Sequence, residues 1–136
     1  MTPQEIFDHI AGRLEKQTER SSILVKESIL WKNMCVYRTD TGNMCAVGHI
    51  LSETGVSETT LKHMYNTKAP VRSLYFQFKK HLPDWFRDNL PLLSSLQTVH
   101  DSVSNWWEDK VNMRNHLAKV AKGYNLNFDA ENWNKQ

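Results

Sequence analysis

Glycine and proline are scarce in this chain, at five Gly and four Pro in 136 residues. So few backbone punctuators argue against a disordered segment and against an all-β domain built on many tight turns. Cysteine is scarcer still. Cys35 and Cys45 are the whole supply, and in a reducing compartment two thiols stay reduced; a bridge remains geometrically open if the two face each other across a hairpin. No apolar run approaches the roughly 20 residues of a membrane span. Neither charge sign dominates: 17 basic and 15 acidic residues leave a formal charge of +2, too balanced to imply nucleic acid or a membrane surface. Met1-Thr2-Pro3-Gln4-Glu5 has neither a basic region nor an apolar stretch, so no export signal is expected there.

What is present suits a packed interior. Hydrophobic residues make up 40% of the chain, with five Trp, five Phe and four Tyr, and the length fits one domain, 1–136. Thr2, Pro3 and Glu5 form a capping box with proline in the first turn. Ile6, Phe7, Ile10 and Leu14 then recur at helical spacing, which predicts a helix over about 3–19. Residues 21–33 fit neither helical nor strand period. Residues 34–38 alternate and read as a strand. Asp40-Thr41-Gly42-Asn43 reads as a tight turn with Gly42 at positive φ, and Met44-Cys45 as the start of the return strand.

The remainder reads as helices. Residues 46–52 form one, ended near Gly55; Ser57 caps another over 57–65. Pro70 opens a third with an apolar stripe of Val71, Leu74, Tyr75, Phe78 and Leu82, and Pro83 stops it. A turn of helix is expected over 84–90. Pro91 starts a helix whose core face is Leu92, Leu93, Leu96, Val99 and Val103. Asn105, with Glu108 three residues on, caps a long final helix. Its inward residues are Trp107, Val111, Arg114, Leu117, Ala118 and Ala121, with Gly123 as the C-terminal cap and 130–136 as a tail. The expected fold is mainly α (α+β): a single compact helical domain with a short β-hairpin around residues 34–45.

Candidate chemistry gathers where that hairpin meets the helix beginning near Ala46. Cys45 at a helix start gains thiolate stability from exposed amides, and His100, followed by Asp101, supplies a base and its orienter. The flanking residues match no cysteine-enzyme signature, and Cys45 also reads as a small buried hydrophobe at a corner. Cys35, Cys45, His49 and His100 or His63 offer zinc-ligand types, but the nine residues between the cysteines exceed the usual two to four. His100-Asp101 alone lacks the further ligands a metal phosphohydrolase requires. Arg38, the amides near Gly48, and Arg72 suit a small anionic ligand. Arg38, Lys68, Arg72, Lys79, Lys80 and His81, interleaved with Tyr75, Phe76 and Phe78, pair cations with aromatics, yet the net charge supplies no field for nucleic acid. Trp106 and Trp107 stand about 100° apart on a helix, so one of them is turned from the core seam. Trp106 and Trp85 are therefore the candidate partner surface.

The block Cys35-x-Tyr37-Arg38…Gly42-x-x-Cys45-Ala46-Val47-Gly48 resembles a signature of small uncharacterised proteins of tailed bacteriophages and prophages. Gln4 to Ala11 resembles their opening helix. Leu96-Gln97-x-Val99-His100-Asp101, with Leu117-x-x-Val120-Ala121 beyond, resembles their C-terminal pattern. The resemblance implies a protein made in the cytoplasm of an infected bacterium, and it transfers no catalytic residue. The expected function is a non-enzymatic phage accessory protein that binds a host factor, in host takeover or counter-defence, as an inhibitor would. The alternative is binding or sequestering of a small nucleotide-like anion, or thiol-dependent chemistry, at the hairpin–helix corner through Arg38, Cys45, Gly48, His49 and His100. No resident cofactor is expected, zinc being the weaker option.

Overall fold

A computed structural model describes residues 1–17, 22–27, 30–35, 37–39, 42–102 and 110–134, with 22–27 and 30–35 defined in backbone. The chain is mostly helical, in the order α1 (Pro3–Lys16), β1 (Ser22–Glu27), β2 (Leu30–Cys35), α2 (Gly48–Leu51), α3 (Glu58–Tyr65), α4 (Val71–Phe78), α5 (Asp84–Asp88), α6 (Leu90–Ser102) and α7 (Lys110–Gly123). No helix among the described residues is long and apolar enough to cross a membrane.

α1 begins as its sequence dictates. The Thr2 hydroxyl accepts from the Glu5 N–H at 3.1 Å, and the Glu5 carboxylate accepts from the Thr2 N–H at 3.0 Å. That satisfies two of the orphan amides of the first turn. The helix buries Ile6, Phe7, Ile10, Ala11 and Leu14. It stops at Lys16, short of the expected 19, and Gln17 leaves in extended conformation.

Both glutamines of α1's flanks act as surrogate backbone. The Gln17 amide donates to the Met44 C=O at 2.7 Å and accepts from the Met44 N–H at 3.2 Å. The Gln4 amide does the same with Asn127, at 2.9 and 2.8 Å. A carboxamide carries the same donor and acceptor as a peptide group, so each glutamine closes one strand-like pair with a distant segment.

The strand pairing differs from expectation. β1 runs antiparallel to β2, Ser22 opposite Cys35 and Glu27 opposite Leu30. The residues of ambiguous period thus supply strands. The hairpin expected over 34–45 is not shown: Met34 and Cys35 belong to β2, and beyond them the chain makes one isolated bridge, Arg38 to Met44. The turn itself forms. Gly42 takes φ +90°, and the Thr39 N–H donates to the Asn43 C=O at 2.8 Å. Pairing goes no further because Ala46 and Val47 already turn into α2.

One buried cluster joins the helices, with Ile6, Phe7, Ile10 and Leu14 of α1 against Ile50, Leu51, Met64, Leu74, Phe86, Leu92, Leu93, Leu96, Met113 and Leu117. Each such side chain contributes about 1.5–3 kcal/mol on leaving water. α3 is capped by Ser57, whose hydroxyl accepts from the Thr60 N–H at 3.2 Å.

Two expectations for the C-terminal quarter need correction. The seam of α7 is Met113, Leu117 and Ala121, four residues apart, which turns Val111 about 200° from Met113 and leaves it exposed. The left-handed position after α7 is Asn125, at φ 57°, rather than Gly123; the Leu126 N–H there reaches the Ala121 C=O at 2.8 Å. The expected Asn105 cap lies outside the described residues.

Nor is the segment from 130 a loose tail. Trp133 is buried, and its indole N–H donates to the Ala11 C=O at 2.9 Å. The Asn134 N–H donates to the Glu15 carboxylate at 2.7 Å.

Candidate functional site

The 37–49 corner is built around the close approach of two backbones. A Cβ on Gly48 would stand 2.0 Å from the Tyr37 carbonyl oxygen, so only glycine lets α2 start against the preceding loop. Cys45 and Ala46 are buried beside it. The Gly48 N–H donates to Cys45 Sγ at 3.3 Å. Tyr37 is buried too, and its hydroxyl donates to the Ala69 C=O at 2.7 Å. Burial pushes the Tyr37 phenol far up, with the negative neighbours Cys45 and Asp101 adding to it.

α6 docks on the same corner through polar groups. The Val47 N–H donates to the Gln97 carboxamide at 3.1 Å, and the Gln97 amide donates to Asp101 at 3.2 Å. His100, with none of its surface exposed, places Nδ1 at 2.7 Å from the same Asp101 carboxylate. His9 of α1 meets the His49 C=O at 2.9 Å through Nε2. His49 itself is half-buried, and its Nε2 is buried without a hydrogen-bond partner among the described residues. Burial, with the positive neighbours His100, Arg13 and His9, lowers the His49 pKa to about 4.

The sequence-derived candidates therefore separate into two environments. Cys45, Gly48 and His100 sit in the packed interior, where each already serves the junction of loop, α2 and α6. A thiol at 1% exposure is not offered to a substrate, whatever its proximity to a helix start. Arg38 points the other way. With Thr39, Lys62, Tyr65 and Asn66 it lines an open cleft of about 260 Å³, and its guanidinium lies 5.4 Å from the centre of the Tyr65 ring. Arg38 thus faces an open cleft, while Gly48 and His100 are buried.

Among the described residues no three His, Cys, Asp or Glu side chains gather as a metal-ligand set. The Cys35 side chain lies outside the described residues, and His63 is exposed on α3.

Of the two tryptophans expected at a partner surface, Trp106 lies outside the described residues. Trp85 is half-buried and packs against the core, its ring 6.0 Å from that of Phe86. The most exposed aromatic among the described residues is Phe76, at 60% exposure. Its position in α4 explains why. Val71, Leu74 and Phe78 are the buried stripe, whereas Arg72 and Phe76 lie about 40° apart on the opposite side at 100° per residue. Arg72, Lys79, Lys80 and His81 are exposed around it, and Lys79 Nζ stands 5.9 Å from the Phe76 ring centre. The signal was present in the sequence: Val71, Leu74 and Phe78 at helical spacing assign Phe76 to the far face.

With fold and site in view, no family model, no curated protein and no solved structure matches this chain. The chain is a small, mostly helical domain with a buried polar junction and an outer helix, α4, that carries Arg72 and Phe76 on its exposed side.

Proposed function

We propose that this is a non-enzymatic binding protein, a phage accessory factor that recognises a host protein in the bacterial cytoplasm through the outer face of α4. The observation that carries the reading is Phe76, 60% exposed between Arg72 and Lys79 on a well-formed helix. Leaving a phenyl ring in water forgoes about 1.5–3 kcal/mol of burial, and interface anchors of this kind are aromatic residues with cations beside them. The surrounding Arg72, Lys79 and Lys80 favour a partner that is acidic around an apolar pocket for the ring. Burial of Cys45 and His100 supports binding over thiol chemistry.

The test is native mass spectrometry of the protein purified from phage-infected bacteria, beside Phe76→Ser and Arg72→Glu. The expected result is a stoichiometric host protein that both substitutions release while the melting temperature stays put. A bare wild-type chain, or a partner that ignores both substitutions, overturns the reading.

A further inference from the structure

We propose that the open cleft between the 37–45 loop and the end of α3 is a binding site for a small phosphomonoester. It is separate from the α4 face and does not depend on the protein-binding reading.

Two cations, Arg38 and Lys62, share this cleft of about 260 Å³ with Tyr65 and Asn66. Among the described residues no carboxylate lines it, and neither cation is engaged in an ion pair. Such a pair of like charges on one small concavity is unfavourable unless an anion joins them.

Arg38 is held ready from two sides. Its backbone is bridged to Met44, which the Gln17 amide grips at both N–H and C=O. Its guanidinium rests near the Tyr65 ring, a residue only 8% exposed and so a fixed platform. With no carboxylate lining the cleft among the described residues, the Arg38 fork has N–H groups to offer an acceptor, and a guanidinium grips phosphate with two parallel hydrogen bonds. Lys62 adds a point charge, and the Asn66 amide and Tyr65 hydroxyl add neutral donors.

The C-terminal end of a helix ordinarily repels anions through its open carbonyls. At α3 three of the last four carbonyls are occupied. The Asn66 N–H takes the Lys62 C=O at 3.2 Å, the Thr67 N–H takes the Met64 C=O at 3.1 Å, and the Thr67 hydroxyl takes the His63 C=O at 3.0 Å.

Size and charge choose the ligand class. The volume lies just under the roughly 300–1,000 Å³ of pockets that enclose a drug-sized molecule. It suits a phosphate head with its substituent directed to solvent. A phosphate dianion matches two cations; a carboxylate leaves one charge uncompensated.

The experiment is an NMR titration of the full chain with phenyl phosphate at low ionic strength, beside benzoate and inorganic phosphate. The expected result is saturable shifts of the amides of Arg38, Lys62, Tyr65 and Asn66, with benzoate about tenfold weaker or more. Inorganic phosphate shifting the same amides is also expected, since the head group makes the contacts. Lys62→Gln and Arg38→Gln each weaken phenyl phosphate by about tenfold, the order expected for one charge-assisted contact. Phe76→Ser binds it as the wild type does, which keeps this outcome distinct from that of the α4 reading. Shifts that never saturate, or that centre on Lys79 and Lys80, overturn the proposal. So does wild-type affinity in Lys62→Gln, which decides the matter if Arg38→Gln perturbs the loop, because Lys62 is exposed on α3.

Discussion

The 37–49 corner and the outer side of α3 and α4 both carry residues capable of chemistry or recognition, and put them to opposite ends. At the corner Tyr37, Cys45 and His100 are buried, and hydrogen bonds from Val47 to Gln97, from Gly48 to Cys45 and from Tyr37 to Ala69 fix the loop, α2 and α6 in place. On the outer side Arg38, Lys62, Tyr65, Arg72 and Phe76 present cations and rings to solvent or to an open cleft. Burial is what separates the two regions. The lesson is that a cluster of reactive residue types is a site only where something can reach it, and here the reactive cluster is mortar while the plainer one is accessible.

The contrast can be broken most forcefully at Gly48. Gly48→Ala places a carbon against the Tyr37 carbonyl, and relieving that overlap costs about 3 kcal/mol or more. Chemical denaturation should show it as a fall in midpoint with unchanged slope. A pH titration tests the same corner without mutation. His49 titrates near 4 in the folded chain against 6.5 as its ordinary value. Between those values the unfolded chain takes up the proton and the folded chain does not. Stability is therefore full above pH 6.5 and falls as pH drops toward 4, by at most about 3 kcal/mol. His49→Gln should flatten that part of the profile, measured as melting temperature against pH.

Gln17→Met removes both bonds to Met44 and should cost about 2 kcal/mol in the same denaturation assay. Because Met44 is the bridge partner of Arg38, that substitution also sharpens the comparison: phenyl phosphate affinity should fall together with stability. The smallest stability effect belongs to the outer face. Phe76→Ser should leave unfolding free energy within about 0.5 kcal/mol of wild type, even as the proposed partner is lost.

Much of the helical framework was readable in the residues. Thr2, Pro3 and Glu5 announce α1, Ser57 announces α3, and Gly42 takes the positive φ its turn requires. Those signals are local, since caps and turns act within four residues. The misses are long-range. Residues 21–33 show no clear period, and within them 22–27 and 30–33 are strand through pairing with each other and with residues 34–35 rather than through an alternating pattern. Trp133 looked like part of a tail because nothing near it in sequence reveals that its indole reaches Ala11. At the site, Arg38 was legible as an anion-binding candidate, but its cleft partners Lys62, Tyr65 and Asn66 sit one helix away and share no motif with it. Gly48 was singled out for its amide, whereas the missing Cβ is what the structure uses.

α1 collects its partners from the far end of the chain: Gln4 from Asn127, Ala11 from Trp133, Glu15 from Asn134, and the carbonyls of Leu14 and Gln17 from the Lys110 ammonium at 2.6 and 2.5 Å. Its first turns leave the ribosome long before those residues exist. At about 5–20 residues per second, α1 waits about 6–24 s for them, with only its packing on earlier elements such as α2 and α6 able to form meanwhile. Closing contacts across more than a hundred residues is slow for entropic reasons as well. α1 is thus tied down by contacts that span more than ninety residues of chain, and its set of partners is complete only once residues 110–134 have joined it.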